Sequence, residues 1–124
     1  MLGPGPVAPQ IAHALAFGTV ASPALDLGSG GGLPGLVLAE ADPDSTWVLL
    51  DSRSRSVVFL REAVATLGLG DRVEVLEARA EDAGRALSHR GRYHLVVARG
   101  FAPPAVTAEC AAPLLVAGGR LVVS

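Results

Sequence analysis

Short apolar runs alternate along the chain with glycine- or proline-bearing turns and with stretches of helical period. Ala24-Leu25-Asp26-Leu27 is the first clear run and leads into Gly28-Ser29-Gly30-Gly31-Gly32. Leu33 to Glu40 then takes a helical spacing, with Pro34 in the first turn, where the amide it lacks would have no intrahelical partner anyway. Thr46 to Asp51 is nearly continuous in apolar residues, as expected of a parallel strand covered on both faces. From Ser54 to Leu67 the period changes: Val57, Leu60, Val64 and Leu67 fall on one helical face, Arg55 and Glu62 lie away from it, and Gly68 is a suitable terminator. Arg72 to Glu77 reads as a third strand, Asp82 to Ser88 as a short helix and Tyr93 to Ala98 as a fourth strand. Pro103 to Leu115 reads as a helix that Pro113 should kink or shorten, and Gly118-Gly119 leads into a last strand, Arg120 to Val123. A further amphipathic helix is expected near Ile11 to Phe17.

Strands alternating with helices of this length imply right-handed crossovers and an α/β fold: an open, doubly wound, mostly parallel sheet of about five strands. With 124 residues, no internal repeat and no linker, residues 1–124 read as one domain. Half the residues are apolar and only 18% are charged, which excludes a solvated disordered tail. Aromatics are 4%, so the core must be built from Ala, Val and Leu. The net charge of −2, with every basic residue an Arg, gives no basic footprint for nucleic acid beyond a local patch. Cys110 is the single cysteine, so no internal disulfide forms, and no Cys/His spacing suits a metal. The start lacks the basic region of a signal peptide and no apolar run approaches the ~18 residues of a membrane span. A soluble cytoplasmic domain is expected.

In such a sheet a ligand sits beyond the carboxyl ends of the strands, near the switch in strand order. Gly28, Gly30 and Gly32 let backbone approach a ligand closely, and the helix that follows aims its free amides there. Asp51 ends the second strand, 23 residues after Gly28, where a carboxylate can accept bonds from the two hydroxyls of a ribose. Glycine turn and acid together point to an adenosine-containing cofactor. Counted from Gly30, the dinucleotide pattern G-x-G-x-x-G is met through Gly32 and Gly35, although Asp51 then comes early; counted from Gly28, it fails at Leu33. The Gly28 register is G-x-G-x-G with Asp26 two residues before it, which looks like the S-adenosylmethionine (SAM) loop of class I methyltransferases.

Several segments in order carry a more specific likeness. Asp26-Leu27-Gly28-Ser29-Gly30-Gly31-Gly32-Leu33-Pro34-Gly35 is followed by Leu50-Asp51-Ser52-Arg53-Ser54-Arg55, then Phe59-Leu60-Arg61, then Arg79-Ala80-Glu81-Asp82, then Val97-Ala98-Arg99-Gly100-Phe101. From about Ala24 to Ser124 the chain resembles the RsmG (GidB) family, which methylates N7 of a guanosine in 16S ribosomal RNA. The resemblance implies SAM as cofactor. Gly28 and Leu33 would flank its methionine part, Asp51 would hold the ribose, Ala80 and Glu81 would border the adenine, and Ser52 is a further cofactor-binding candidate. Arg99 would face the cofactor or the incoming base and is the candidate catalytic residue. Ribosomal RNA of the small subunit is the implied partner. Ala16 and Phe17 stand where the family has an acid and a serine, and its longer N-terminal region and last two strands have no counterpart, so a relative shortened at both ends is expected.

Guanine N7 presents a lone pair on the groove edge, so no base has to deprotonate it, and alignment of nucleophile, methyl carbon and sulfur supplies the catalysis. Structural roles stand beside the functional ones. Arg99 equally suits a surface strand end, Glu81 the first turn of a helix, and Arg53, Arg55 and Arg61 either RNA phosphates or a solvated face. His13, His89 and His94 lack partners at ligand spacing, Cys110 reads as a small buried residue, and Trp47 as packing. Two other functions remain open: a catalytically silent SAM-binding module, and a nicotinamide-dependent oxidoreductase through the Gly30 register. With methyltransferase strand order, Arg120 to Val123 would be an apolar edge strand, so that edge or its flanking helix is expected to be buried in a homodimer.

Overall fold

A computed structural model describes residues 20–28, 34–99 and 101–123. Five strands form one sheet in the order β3-β2-β1-β4-β5: β1 (Ala24–Leu27), β2 (Trp47–Asp51), β3 (Val73–Glu77), β4 (Tyr93–Ala98) and β5 (Leu115–Val123). Every pairing is parallel. Helices α1 (Gly35–Ala41), α2 (Ser54–Thr66), α3 (Ala80–Arg85) and α4 (Pro104–Ala111) connect them, α4 running into a 3₁₀ turn, Ala112–Leu114. This is the doubly wound sheet that the alternation of runs and helical stretches implies. Strand order reverses between β1 and β4, which makes the carboxyl ends of β1, β2 and β4 the place where a crevice opens.

β1 and β2 are buried along their whole length and β4 at every position but His94, and side-chain alternation divides their residues between two cores. Ala24, Trp47, Leu49, Leu95 and Val97 pack with Leu38 of α1 and Leu60 and Val64 of α2 on one face. Leu25, Leu27, Val48, Leu50 and Val96 pack with Ala80, Ala83, Ala111 and Leu114 on the other. Trp47 is a core residue, its indole N–H donating to Ser45 Oγ at 3.1 Å. In the second core the helices contribute small side chains, Ala80, Ala83 and Ala111, against the larger Leu, Val and Tyr93 side chains of the strands.

Element ends depart from the sequence pattern for local reasons. α2 stops at Thr66 because Gly68, at φ +70°, closes it: the Gly68 and Leu69 amides return to the Ala65 and Val64 carbonyls. Leu67 caps the helix, its amide still bonded to the Ala63 carbonyl, and is 47% exposed. α3 begins at Ala80, ahead of the expected Asp82, since Arg79 is extended and passes the chain straight into the turn; it ends where Ala86 becomes extended. Pro113 does shorten α4, and the turn it forces satisfies the start of β4 through bonds from the Gly91 and Arg92 amides to the Pro113 and Leu114 carbonyls. β5 starts at Leu115 rather than Arg120. It pairs Leu115 with Tyr93, loops out through Gly118 at φ +81°, and resumes at Arg120 opposite Leu95. His89 is tied to the fold, its Nδ1 lying 2.7 Å from the Tyr93 hydroxyl, while His94 is exposed. The expected helix at Ile11–Phe17, with His13, lies outside the described residues, as do Gly30, Gly32 and Leu33. Among the described residues no helix is long and apolar enough to cross a membrane.

A buried bond ties the start of α1 to β1. The Gly35 amide, at the start of α1, donates to Asp26 Oδ2 at 2.7 Å. A helix start leaves amides without intrahelical partners, and here a strand carboxylate takes one. The approach is so close that a Cβ on Gly35 would lie 2.7 Å from both Asp26 Oδ2 and Leu49 Cδ2. Gly35→Ala is expected to destabilise the fold by about 1–3 kcal/mol through this overlap, and Asp26→Ala by about 1–3 kcal/mol through the stranded amide. Urea denaturation of each variant against the parent measures both.

Candidate functional site

Beyond the carboxyl ends of the strands lies an open crevice of about 640 Å³. Its floor is the second core, reached between Gly28 after β1, Leu50 to Arg53 at the end of β2, Ala78 to Glu81 between β3 and α3, and Phe101 and Ala102 after β4. Val106 and Cys110 of α4 form the remaining wall. Each contributing turn follows a parallel strand, so the right-handed crossovers bring the same end of four strands to one place.

Gly28 has φ +76°, and a Cβ there would meet the Phe101 ring at 2.6 Å. Only glycine meets both demands at this turn. Asp51 is 3% exposed and ends β2 with its carboxylate at the crevice. Its Oδ1 accepts the Arg53 amide at 2.9 Å and Arg53 Nε at 3.1 Å, and its Oδ2 accepts an Arg53 terminal nitrogen at 3.0 Å. Hydrogen bonding to Asp51, and then the charge of Asp51, push the Arg53 guanidinium above its ordinary pKa. Glu81 is exposed in the first turn of α3 and pairs with Arg79 at 3.1 Å. Its own backbone N–H, opposed by burial and aided by Arg79, holds the carboxyl below the usual range.

The sequence-derived residues thus separate into three groups. Gly28, Asp51, Ser52, Ala80 and Glu81 come together around the crevice. Asp26 does not line it: this buried carboxylate accepts the Gly35 amide at the start of α1. Arg99 is exposed at the end of β4 and is not among the lining residues. Arg53, read from sequence as facing RNA or solvent, turns back onto Asp51 two residues away. Phe101, Val106 and Cys110 are wall residues that no spacing rule singles out. Phe101 is reached only by following the chain past β4, and Cys110 only once α4 is laid across the sheet.

A family model described as rRNA small subunit methyltransferase G (GidB) matches residues 10–124. The chain belongs to the GidB family. The ribosomal RNA small subunit methyltransferase G of Moorella thermoacetica is 42% identical over 102 residues, covering 82% of this chain and 42% of that protein. The protein of the same name from Kineococcus radiotolerans is 46% identical over 103 residues, covering 82% and 38%. This GidB-family chain therefore spans about two-fifths of the length of the curated relatives it matches. Among solved structures, a SAM-dependent methyltransferase of Geobacter sulfurreducens, in complex with S-adenosyl-L-homocysteine, superposes with a TM-score of 0.73 at 20% identity, covering 99% of this chain and 50% of that one. That likeness makes the fold the Rossmann-like core of class I methyltransferases.

Cys110 gives the GidB-family crevice a chemical reporter. It is half-buried, packs against the second core, and has its thiol pushed up by burial, with Glu81 and Glu109 adding to the effect. The reactive thiolate is therefore scarcer than in a free cysteine. Iodoacetamide at pH 8 is expected to modify the native chain several-fold more slowly than the urea-unfolded chain, with native labelling still rising above pH 9. Mass spectrometry of this single cysteine reads both rates.

Proposed function

We propose that this chain is the cofactor-binding core of a SAM-dependent methyltransferase that acts on N7 of a guanosine in 16S ribosomal RNA, in the cytoplasm. The observation that carries the reading is a crevice at the strand switch with a positive-φ glycine on one side and a buried carboxylate on the other. Its volume is within the range of about 300–1,000 Å³ usual for small-molecule sites. The family's description as an rRNA methyltransferase supports the RNA substrate, and the ligand in the Geobacter neighbour supports the cofactor class.

In this reading Gly28, with Gly30, Gly32 and Leu33, receives the methionine part. Asp51 and Ser52 take the ribose, and Ala80 and Glu81 border the adenine. Arg99, exposed beside the crevice rather than inside it, suits contact with the incoming base or its phosphate better than contact with the cofactor. The bound cofactor supplies an electrophilic methyl on sulfonium sulfur. The chain's own part is to orient it, since guanine N7 needs no deprotonation. SAM is expected to give a saturable binding heat by calorimetry where NAD gives none, and the pattern reversed would favour the dinucleotide register through Gly30. Incubation with labelled SAM and undermethylated small ribosomal subunits then tests transfer; binding without transfer would favour the silent module.

A homodimer through the sheet edge belongs to the same proposal. β5 is the terminal strand of the described sheet, with Leu115, Val116 and Leu121 only partly buried there. Unpaired strand edges of this kind are protected in natural proteins. Light scattering at micromolar concentration is expected to give twice the chain mass, and a monomer would remove the dimer while leaving the cofactor reading intact.

A further inference from the structure

Asp51 is deeply buried, yet three of the hydrogen bonds it accepts come from one residue that is itself largely exposed. An ionised carboxylate offers about four acceptor positions in all. Arg53 fills three: its amide and Nε lie on Oδ1, and a terminal guanidinium nitrogen lies on Oδ2. At most one position is left, whereas the two hydroxyls of a ribose need two. A ribose can bond Asp51 through both hydroxyls only if the Arg53 side chain gives up at least one bond. It can do so readily, because that side chain is 67% exposed and leads straight into solvent.

We propose that Arg53 is a specificity-determining residue of the crevice, whose guanidinium holds the acceptor positions that a vicinal diol must take and so sets how strongly the ribose contributes to binding. The inference rests on the reading of the crevice as a SAM site. Its alternative is a purely structural pair in which Arg53 orients Asp51 for the ligand, and the two differ in sign. Removing a competitor tightens binding; removing a support weakens it. The Arg53 amide keeps its own bond to Oδ1 in any side-chain variant, so the carboxylate stays anchored when the guanidinium is gone.

S-adenosyl-L-homocysteine is titrated calorimetrically into the parent, Arg53→Ala, Asp51→Asn and the double variant, with thermal melting to establish that each is folded. Arg53→Ala is expected to bind about fivefold more tightly, the factor corresponding to roughly 1 kcal/mol for one hydrogen bond released. The gain should vanish in the Asp51→Asn background and shrink for the 2′-deoxy analogue of the ligand. Arg53→Gln, uncharged and shorter, should shift affinity in the same direction and serves if Arg53→Ala fails to fold. Unchanged or weaker binding by folded Arg53 variants overturns the competition while leaving the cofactor site standing. Absence of binding by all four proteins overturns the cofactor reading, and this inference with it.

Discussion

The bond from the Gly35 amide to the Asp26 carboxylate determines how the chain leaves its central strand, and the crevice is built around that departure. β1 lies between β2 and β4, so its carboxyl end marks the switch in strand order. α1 can begin there only if its first turn comes down onto the sheet, and the approach at Gly35 leaves no space for a side chain. Both requirements meet at one carboxylate oxygen. A buried amide without a partner would cost about 1–3 kcal/mol, comparable to a sizeable fraction of a small domain's stability. The start of α1 is thus held from below by a strand side chain.

Asp26 and Asp51 are both nearly inaccessible and both sit in central strands, yet their surroundings assign them opposite work. Asp26 is turned toward the α1 side and accepts a backbone amide there. Asp51 ends its strand one position beyond the second core and opens onto the crevice. From the sequence the two look alike, each an acid within or after an apolar run, and both read as cofactor contacts. Side-chain alternation puts both on the same face of the sheet, so what separates them is the distance from the strand end, which depends on register: Asp26 lies opposite Leu49, two residues short of Asp51.

Much of the architecture was legible because it follows from local rules. Apolar runs of four to six residues between glycine turns marked β1 to β4, and Gly68 and Pro113 ended their helices by means that do not depend on the rest of the molecule. The illegible parts depended on long-range pairing. Nothing near Leu115 signals that it begins a strand, since its partner is Tyr93 across the sheet. Leu67 fitted the apolar face of α2 by spacing, yet as the capping residue at the helix end it is 47% exposed. In the crevice, Cys110 and Phe101 became neighbours of Ala80 and Gly28 only through the crossovers. Arg53 differs: its partner is two residues away, and an Asp-x-Arg step leaving a strand is a signal that sequence reading could have used.

The pairing of Asp51 with Arg53 also shows why a ligand's contacts do not translate directly into affinity. A carboxylate removed from water needs donors in every state the protein visits, because leaving it bare costs far more than a hydrogen bond returns. When no ligand supplies them, the chain must, and the nearest flexible cation does. If the crevice takes a ribose as proposed, binding exchanges one set of donors for another, and the free energy gained is the difference between ribose hydroxyls on Asp51 and a guanidinium released to solvent. The burial that makes Asp51 an effective acceptor thereby guarantees that something already occupies it. A site with a more exposed carboxylate would avoid the competitor, but water would take its place and the acceptor would discriminate less between a diol and a single hydroxyl.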